Sequence, residues 1–342
     1  MNLKYTLTLL LTTLGVANLT AQDIHFSQMQ YAPLTLNPAL AGSSHDMQAI
    51  LNYKTQWKSV ATPYNTINAS FDMRFKKSKS GYLASGISVY NDNAGDARLT
   101  TTTITLPIAY HLRIDKESTL GGALYVSAGQ RSINTGNLQW ASQYNGSVYD
   151  ASLQTNETFA NTKLSFFDVG AGAVYNYGVG EKNMTGNNQK SLTAGVAAYH
   201  VNTPKQTFVG TAQDDKLKMR IAAFATGTIG LPQSNIAFNP AVYYNRQGKA
   251  QELLLGSYVK YAIKDAAQHT GLVQSSTASL GVFYRNKDAV IVKGMYEYAN
   301  YAGGVAYDFN TSSLTKVSKS RGGFELFIRY YLDSNKRRIK TA

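Results

Sequence analysis

The residues best suited to acid–base or metal chemistry are five histidines, at positions His25, His45, His111, His200 and His269. They are dispersed, and no two share a metal-ligand spacing. Catalysis needs a nucleophile, a base and an orienting group in one place, and the sequence offers no such set. The carboxylates Asp214-Asp215, and Asp92 with Asp96, read as solvated loop residues without the spacing of a calcium loop. Ser and Thr are too widespread for one to be singled out. The chain has no cysteine, which removes disulfides, thiolate metal sites, cysteine nucleophiles and a lipidated N-terminal Cys. No catalytic residue, cofactor or metal is expected. The remaining chemistry is recognition.

The elements that would position a recognition site are written with a period of two. From Ala49 to Leu332, short stretches alternate apolar residues with polar or small ones. In the last of them Phe324, Leu326, Ile328, Tyr330 and Leu332 form one face, and Glu325, Phe327, Arg329 and Tyr331 the other. Period two places alternate side chains on opposite faces of a sheet. Many stretches of about ten such residues are the signature of an outer-membrane β-barrel, lipid outside and a polar interior within. Strands are expected near 48–58, 65–76, 82–91, 99–112, 119–132, 165–177 and 190–202. Seven more are expected near 217–229, 235–246, 250–263, 277–286, 288–298, 302–310 and 322–332. The expected fold is thus all-β, a transmembrane barrel of about fourteen antiparallel strands.

Composition agrees. Charged residues make up 15% of the 342, against roughly 25% in ordinary soluble domains. There are 24 Tyr against 13 Phe and 2 Trp; a ring with a wet hydroxyl suits the interfacial girdles of a barrel. A charge at the lipid midplane costs about 2–4 kcal/mol, so Asp72, Arg74, Glu252, Arg285, Glu325 and Arg329 are expected to face the lumen. The net charge of +13 is scattered, apart from Arg74 to Lys79 and Lys336 to Lys340. No nucleic-acid motif accompanies it, so it reads as periplasmic and interfacial charge beside a lipid bilayer. Glycines on an inner face, such as Gly170 and Gly172, would relieve strand curvature or admit a plug, and curvature is the preferred reading.

The start reads as a signal peptide over 1–21, with Lys4, an apolar core from Leu7 to Val16 and a cut after Ala21. Residues 22–46 form a separate segment, 47–332 the barrel and 333–342 a basic periplasmic tail. With strand ends in the periplasm, the connections 133–163, 203–216 and 311–321 fall outside the cell. The turn Gly230-Leu231-Pro232-Gln233 falls in the periplasm. The long connections 178–189 and 264–276 also land there, which fits barrel custom badly; one missed strand would invert part of the scheme.

Barrel physics does not require the stretch from Gln22 to Gly42. Pro33 and Asn37-Pro38 resist regular helix, while Ala39 and Gly42 permit close packing. Such a segment would plug the lumen, lie across the periplasmic mouth, or fray. Its residues Phe26, Ser27, Gln28, Leu34, Leu36, Asn37, Pro38, Ala39 and Gly42 closely resemble the opening of the PorP/SprF family, outer-membrane proteins of the type IX secretion and gliding systems of Bacteroidetes. Asn52, Tyr53, Gln56, Trp57 and Asp72 resemble its next block. His200, Pro204, Gln206 and Phe208 resemble a later element, and Gly281, Tyr284, Arg285, Tyr307, Asp308, Gly323, Glu325 and Leu326 its ending. Met29 and Lys54 depart from it, standing where an aromatic and an Arg are commoner.

The resemblance implies a non-enzymatic outer-membrane barrel that binds and anchors, or helps export, a large secreted surface protein with a type B C-terminal sorting domain. It also implies contact with the periplasmic lipoprotein ring of the secretion motor. The opening motif would then contact the machinery or form a plug. Trp140, Tyr144, Asn145 and Tyr149, in the longest connection, are candidates for holding the cargo, the bland reading being a solvated loop. The alternative function is a passive porin or hydrophobic-solute channel.

Overall fold

A computed structural model describes residues 23–333 apart from 60–61, 137, 157–161, 181–185, 207, 209–215, 267–273 and 313–314. The expected signal peptide, residues 334–342 of the basic tail, His269 and Asp214-Asp215 lie outside the described residues. Fourteen strands follow one another: β1 (Met47–Gln56), β2 (Tyr64–Phe75), β3 (Gly81–Ala94), β4 (Leu99–Arg113), β5 (Ser118–Ser132), β6 (Lys163–Val179) and β7 (Lys190–Tyr199). They continue as β8 (Arg220–Gly230), β9 (Ile236–Gln247), β10 (Ala250–Lys264), β11 (Ser276–Arg285), β12 (Ala289–Tyr298), β13 (Tyr301–Asn310) and β14 (Arg321–Leu332). Each pairs antiparallel with its sequence neighbours, and β1 pairs with β14 to close the barrel. Closure leaves no bare hydrogen-bonding edge, the condition for crossing lipid with strands.

Every expected strand is present, with ends displaced by at most three residues. β7 stops at Tyr199 rather than 202 because His200 and Thr203 take positive φ and turn the chain out of the sheet. β3 runs on to Ala94, which overturns the reading of Asp92 as a solvated loop residue. It lies on the inner parity of a strand, is buried, and accepts a bond from Thr66 at 2.8 Å. Because the strand count is even, the connections 133–162, 200–219 and 311–320 share one end, the long-loop mouth. The connections 180–189 and 265–275 share the other end with the start of β1 and the finish of β14.

Burial is inverted relative to a soluble protein. Leu124 (70% exposed), Leu280 (71%) and Ile108 (63%) stand on the outer face with the other outward apolar residues, a belt that only a lipid solvent would tolerate. The inner face carries buried Asp72, Glu252, Arg285 and Glu325. Tyrosine divides between the two. Tyr110, Tyr261, Tyr298 and Tyr301 are outward, near the end where β1 begins, whereas Tyr31, Tyr82, Tyr125, Tyr199, Tyr243 and Tyr258 are buried within. The girdles expected from composition thus account for only part of the tyrosine. The six buried ones belong to the core.

A strand spacing of about 4.8 Å and a tilt near 40° give fourteen strands a backbone radius of about 14 Å. Eight strands leave just enough room for side chains to fill. Fourteen leave a bore roughly 12 Å across, about the diameter of a helix with its side chains.

Candidate functional site

The bore is occupied by residues 23–46. The segment is a run of short helical turns, Met29–Tyr31, Pro33–Leu36 and Pro38–Leu40. Pro33 and Pro38 open turns, where a missing N–H costs nothing, so the prolines punctuate the segment rather than abolish helix. It begins at the long-loop mouth, where Asp23 stands beside His200, Arg220 and Gln247. It ends at the opposite rim, where His45 meets Asp333 at 3.1 Å. The segment therefore runs the length of the barrel before the chain turns back to enter β1. Neither an arrangement across the periplasmic mouth nor a frayed leader matches this placement.

The motif residues are its fastenings. Glu325 accepts the backbone N–H groups of Ser27 (2.5 Å) and Gln28 (2.9 Å), and pairs with Lys54 at 3.1 Å. Lys54 and Glu325 also face each other across the β1–β14 seam that closes the barrel. Lys54 donates to the carbonyl of His25 (2.7 Å) and Lys293 to that of Ser27 (2.6 Å). The Ser27 hydroxyl donates to Asp308 (2.7 Å), which also pairs with Arg285 (2.8 Å); Arg285 in turn faces Glu252. Phe26, Ser27 and Gln28 are all buried, and the Gln28 side-chain amide has no hydrogen-bond partner among the described residues. Three residues further along, Tyr31 stacks on Phe327 with centroids 3.7 Å apart, and its carbonyl accepts from Asn52. The segment thus grips both sides of the closing seam.

The second half of the motif grips the far wall. The Asn37 side chain caps its own turn by accepting from the Ala39 N–H (2.9 Å), and donates to the carbonyls of Ala173 and Val196, each at 3.0 Å. Those carbonyls belong to β6 and β7. Close approach is possible because the wall carries Gly172 there, where a Cβ would lie 2.1 Å from Asn37 Oδ1 and 2.9 Å from Pro38 Cδ. The preferred reading of Gly172 as a curvature residue gives way to its role as a seat for the segment. Gly172→Ala is expected to expel the Asn37 amide, since β6 is paired on both sides and cannot yield. The expected loss is about 1–3 kcal/mol, read as a lower urea midpoint. Gly178→Ala, whose Cβ would meet nothing nearer than 3.8 Å, serves as a near-neutral control.

At the lower rim His111 donates to the Ala41 carbonyl at 2.9 Å and stacks on Tyr82. Asp72 accepts the Gly42 N–H at 2.7 Å. Gly42 has φ +62°, and a Cβ there would lie 2.5 Å from the Ala84 Cβ, so both backbone and packing require glycine. Arg74 pairs with Asp46 and donates to the Ser43 carbonyl. Arg329 pairs with Glu297 at 3.0 Å and lies over the Tyr31 ring. The six charged residues assigned to the lumen are therefore all placed on inner-face bonds, five of them outside any cluster the sequence suggested. Lys54, Lys293, Glu297, Asp308 and Asp168 also line the bore. Their inward parity within their strands is the signal that the sequence holds for them.

At the upper rim His200, just beyond β7, lies between Asp23 and Asp168, and Arg220 donates to the Thr35 carbonyl at 3.0 Å. Burial opposes charge on His200, but the carboxylates of Asp23 and Asp168 outweigh it and lift its pKa to about 9. Burial likewise opposes charge on Asp23, yet His200 and Arg220 hold it well below the usual carboxylate range. A raised basic pKa adds stability that is full below about 6.5 and is lost as pH climbs through about 9. A lowered acidic pKa adds stability that is full above about 3.9 and is lost as pH falls below it. Hydrogen-exchange protection of residues 23–28 is therefore expected to hold between about pH 4 and 6.5 and to decline progressively towards pH 9. His200→Gln is expected to abolish the alkaline decline.

The cargo-loop candidates sit at the same mouth. Tyr144 and Tyr149 form a bridge and are 57% and 40% exposed. Trp140 precedes a short turn at Ala141–Gln143, and Asn145 accepts the N–H groups of Ser147 and Val148. They are not brought together with the lumen motif. Gln206 bonds Arg131, and Phe208 lies against the same guanidinium.

The family model of the type IX secretion system membrane protein PorP/SprF matches residues 18–330. No curated protein matches the sequence. Among solved structures, the toluene transporter TbuX of Ralstonia pickettii is 11% identical with a TM-score of 0.49, over 87% of this chain and 92% of that one. The β domain of the Bordetella autotransporter BrkA is 10% identical with a TM-score of 0.42, over 84% and 100%. BamA from Haemophilus ducreyi is 6% identical with a TM-score of 0.42, over 84% and 70%.

Proposed function

Because this chain belongs to the PorP/SprF family of type IX secretion system membrane proteins, we propose that its outer-membrane barrel is a plugged, non-enzymatic anchor. It holds a secreted surface protein carrying a type B C-terminal sorting domain. The observation that carries this reading is the bore filled by the chain's own segment, fastened to strands on both sides of the seam and on the far wall. A wall built to let solutes pass has no use for that many fastenings. The loop holding Trp140, Tyr144, Asn145 and Tyr149 offers the cargo amphipathic side chains that interfaces favour. The end of the barrel where β6 hands over to β7 and β10 to β11 faces the periplasmic lipoprotein ring.

In this orientation Asp23, held by His200, Arg220 and Gln247, stands at the outer mouth, while the start of β1 and the finish of β14 stay periplasmic. An epitope placed between residues 21 and 23 is expected to bind antibody on intact cells, and one after residue 333 only after permeabilisation. Pull-down of the barrel from outer membranes in mild detergent is expected to recover a large surface protein with a C-terminal sorting domain. Recovery of no such cargo, with the barrel intact, would sink the anchor.

A further inference from the structure

Between the segment and strands β3–β8, in the mouth half of the bore, lies a cavity of about 160 Å³ that the anchoring role does not use. A cavity near 150 Å³ is known to hold a benzene ring, so there is room for one six-membered ring. One wall is hydroxyl-bearing, with Thr101, Thr103 and Thr105 in a row on the inner face of β4. The neighbouring strands carry the rings of Tyr90, which pairs with Thr103, and of Tyr125, Phe166 and Tyr199. Asp168 lines it as well and is 3% exposed. Its Oδ2 accepts from Tyr125 and His200, while Oδ1 is buried with no hydrogen-bond partner among the described residues. Arg131 and Arg220 bring two guanidinium groups to the same space.

We propose that this cavity binds one neutral polyhydroxylated ring, that is, a single sugar residue. The lining excludes the other ring chemistries in turn. A hydrocarbon would leave the buried Asp168 oxygen desolvated and without a hydrogen bond, an unfavourable arrangement. A cation would meet Arg131, Arg220 and His200. An anion would meet Asp168 and Asp23. A sugar satisfies all of them, because its O–H groups donate to Asp168, its oxygens accept from guanidinium and threonine, and its C–H faces lie on aromatic rings. The ring reaches the cavity from the long-loop mouth, where Gln206 and Leu217 border it. Its source is either a free sugar or the terminal residue of a glycan.

The test uses the full chain in an amine-oxide detergent, since sugar-headed detergents would compete. Methyl glycosides of glucose, galactose and mannose are titrated to ~10 mM, the weak end of affinity for so small a ligand, and read by saturation-transfer NMR. Transfer to the ring protons of at least one glycoside is expected, falling at least tenfold in Thr103→Phe, which fills the cavity from β4. Thr101→Phe, nearer the rim, serves if Thr103→Phe does not insert. A disaccharide that binds as well as its terminal residue marks a glycan end as the source, and one that does not bind marks a free sugar. No transfer from any glycoside overturns the proposal, as does cyclohexanol or benzoate binding as tightly as the best glycoside.

Discussion

Deleting residues 23–42 is expected to convert an electrically silent barrel into a steadily conducting one in planar bilayers. The wall's backbone bonds run between neighbouring strands around a closed ring, and none of those ladders includes the segment. Insertion is therefore expected to survive. What disappears is the contents of a bore roughly 12 Å wide, leaving Lys54, Lys293 and Arg285 to be hydrated opposite Glu325, Asp308 and Glu252. Cargo display is expected to fall with it, because the mouth loses the end of the segment lying beside the loops. A silent deletion barrel would show that something other than this segment closes the bore. Normal cargo display by a conducting barrel would separate the plug from the anchor.

Glu325→Ala carries the largest expected effect of a single substitution. Lys54 is 1% exposed and would keep, among the described residues, the His25 carbonyl as a partner, while two backbone N–H groups lose their acceptor. Removing one partner of a buried pair costs about 3–5 kcal/mol. The barrel has an escape: if the segment undocks, water reaches Lys54 and the N–H groups, so the loss is capped by the cost of undocking. The expected result is a barrel that stays inserted, with flickering conductance and protease nicking of residues 23–31. Glu325→Gln keeps the shape and one acceptor and is expected to show a smaller version of both. An unchanged, silent and protease-resistant Glu325→Ala barrel would remove Glu325 from the mechanism.

The two variants differ in kind. Deletion removes the segment, whereas the point change alters the balance between docked and undocked forms. If cargo engagement draws on that balance, the Glu325→Ala barrel responds to cargo with a change in conductance, and the deletion barrel does not.

The barrel was legible from the sequence because its cause is local. Alternation along Phe324–Leu332 or Ile104–Leu112 is a statement about which face meets lipid, and each strand makes it independently. The inward aim of Asp72, Glu252, Arg285 and Glu325 followed from the same parity and the cost of charge in hydrocarbon. The resemblance of Phe26-Ser27-Gln28 and Asn37-Pro38-Ala39 to a family opening marked the segment as a separate element. Its path was not written there. Only the closed wall shows that Ser27 meets Glu325, some 298 positions away, and that Gly172 is missing a side chain because Asn37 occupies its place. Nor does any sequence feature mark Asp23 as neighbour to His200. Parity tells a side chain which face it takes. Which partner waits across the bore depends on the shear and closure of all fourteen strands together, a property of the ring and of no one strand within it.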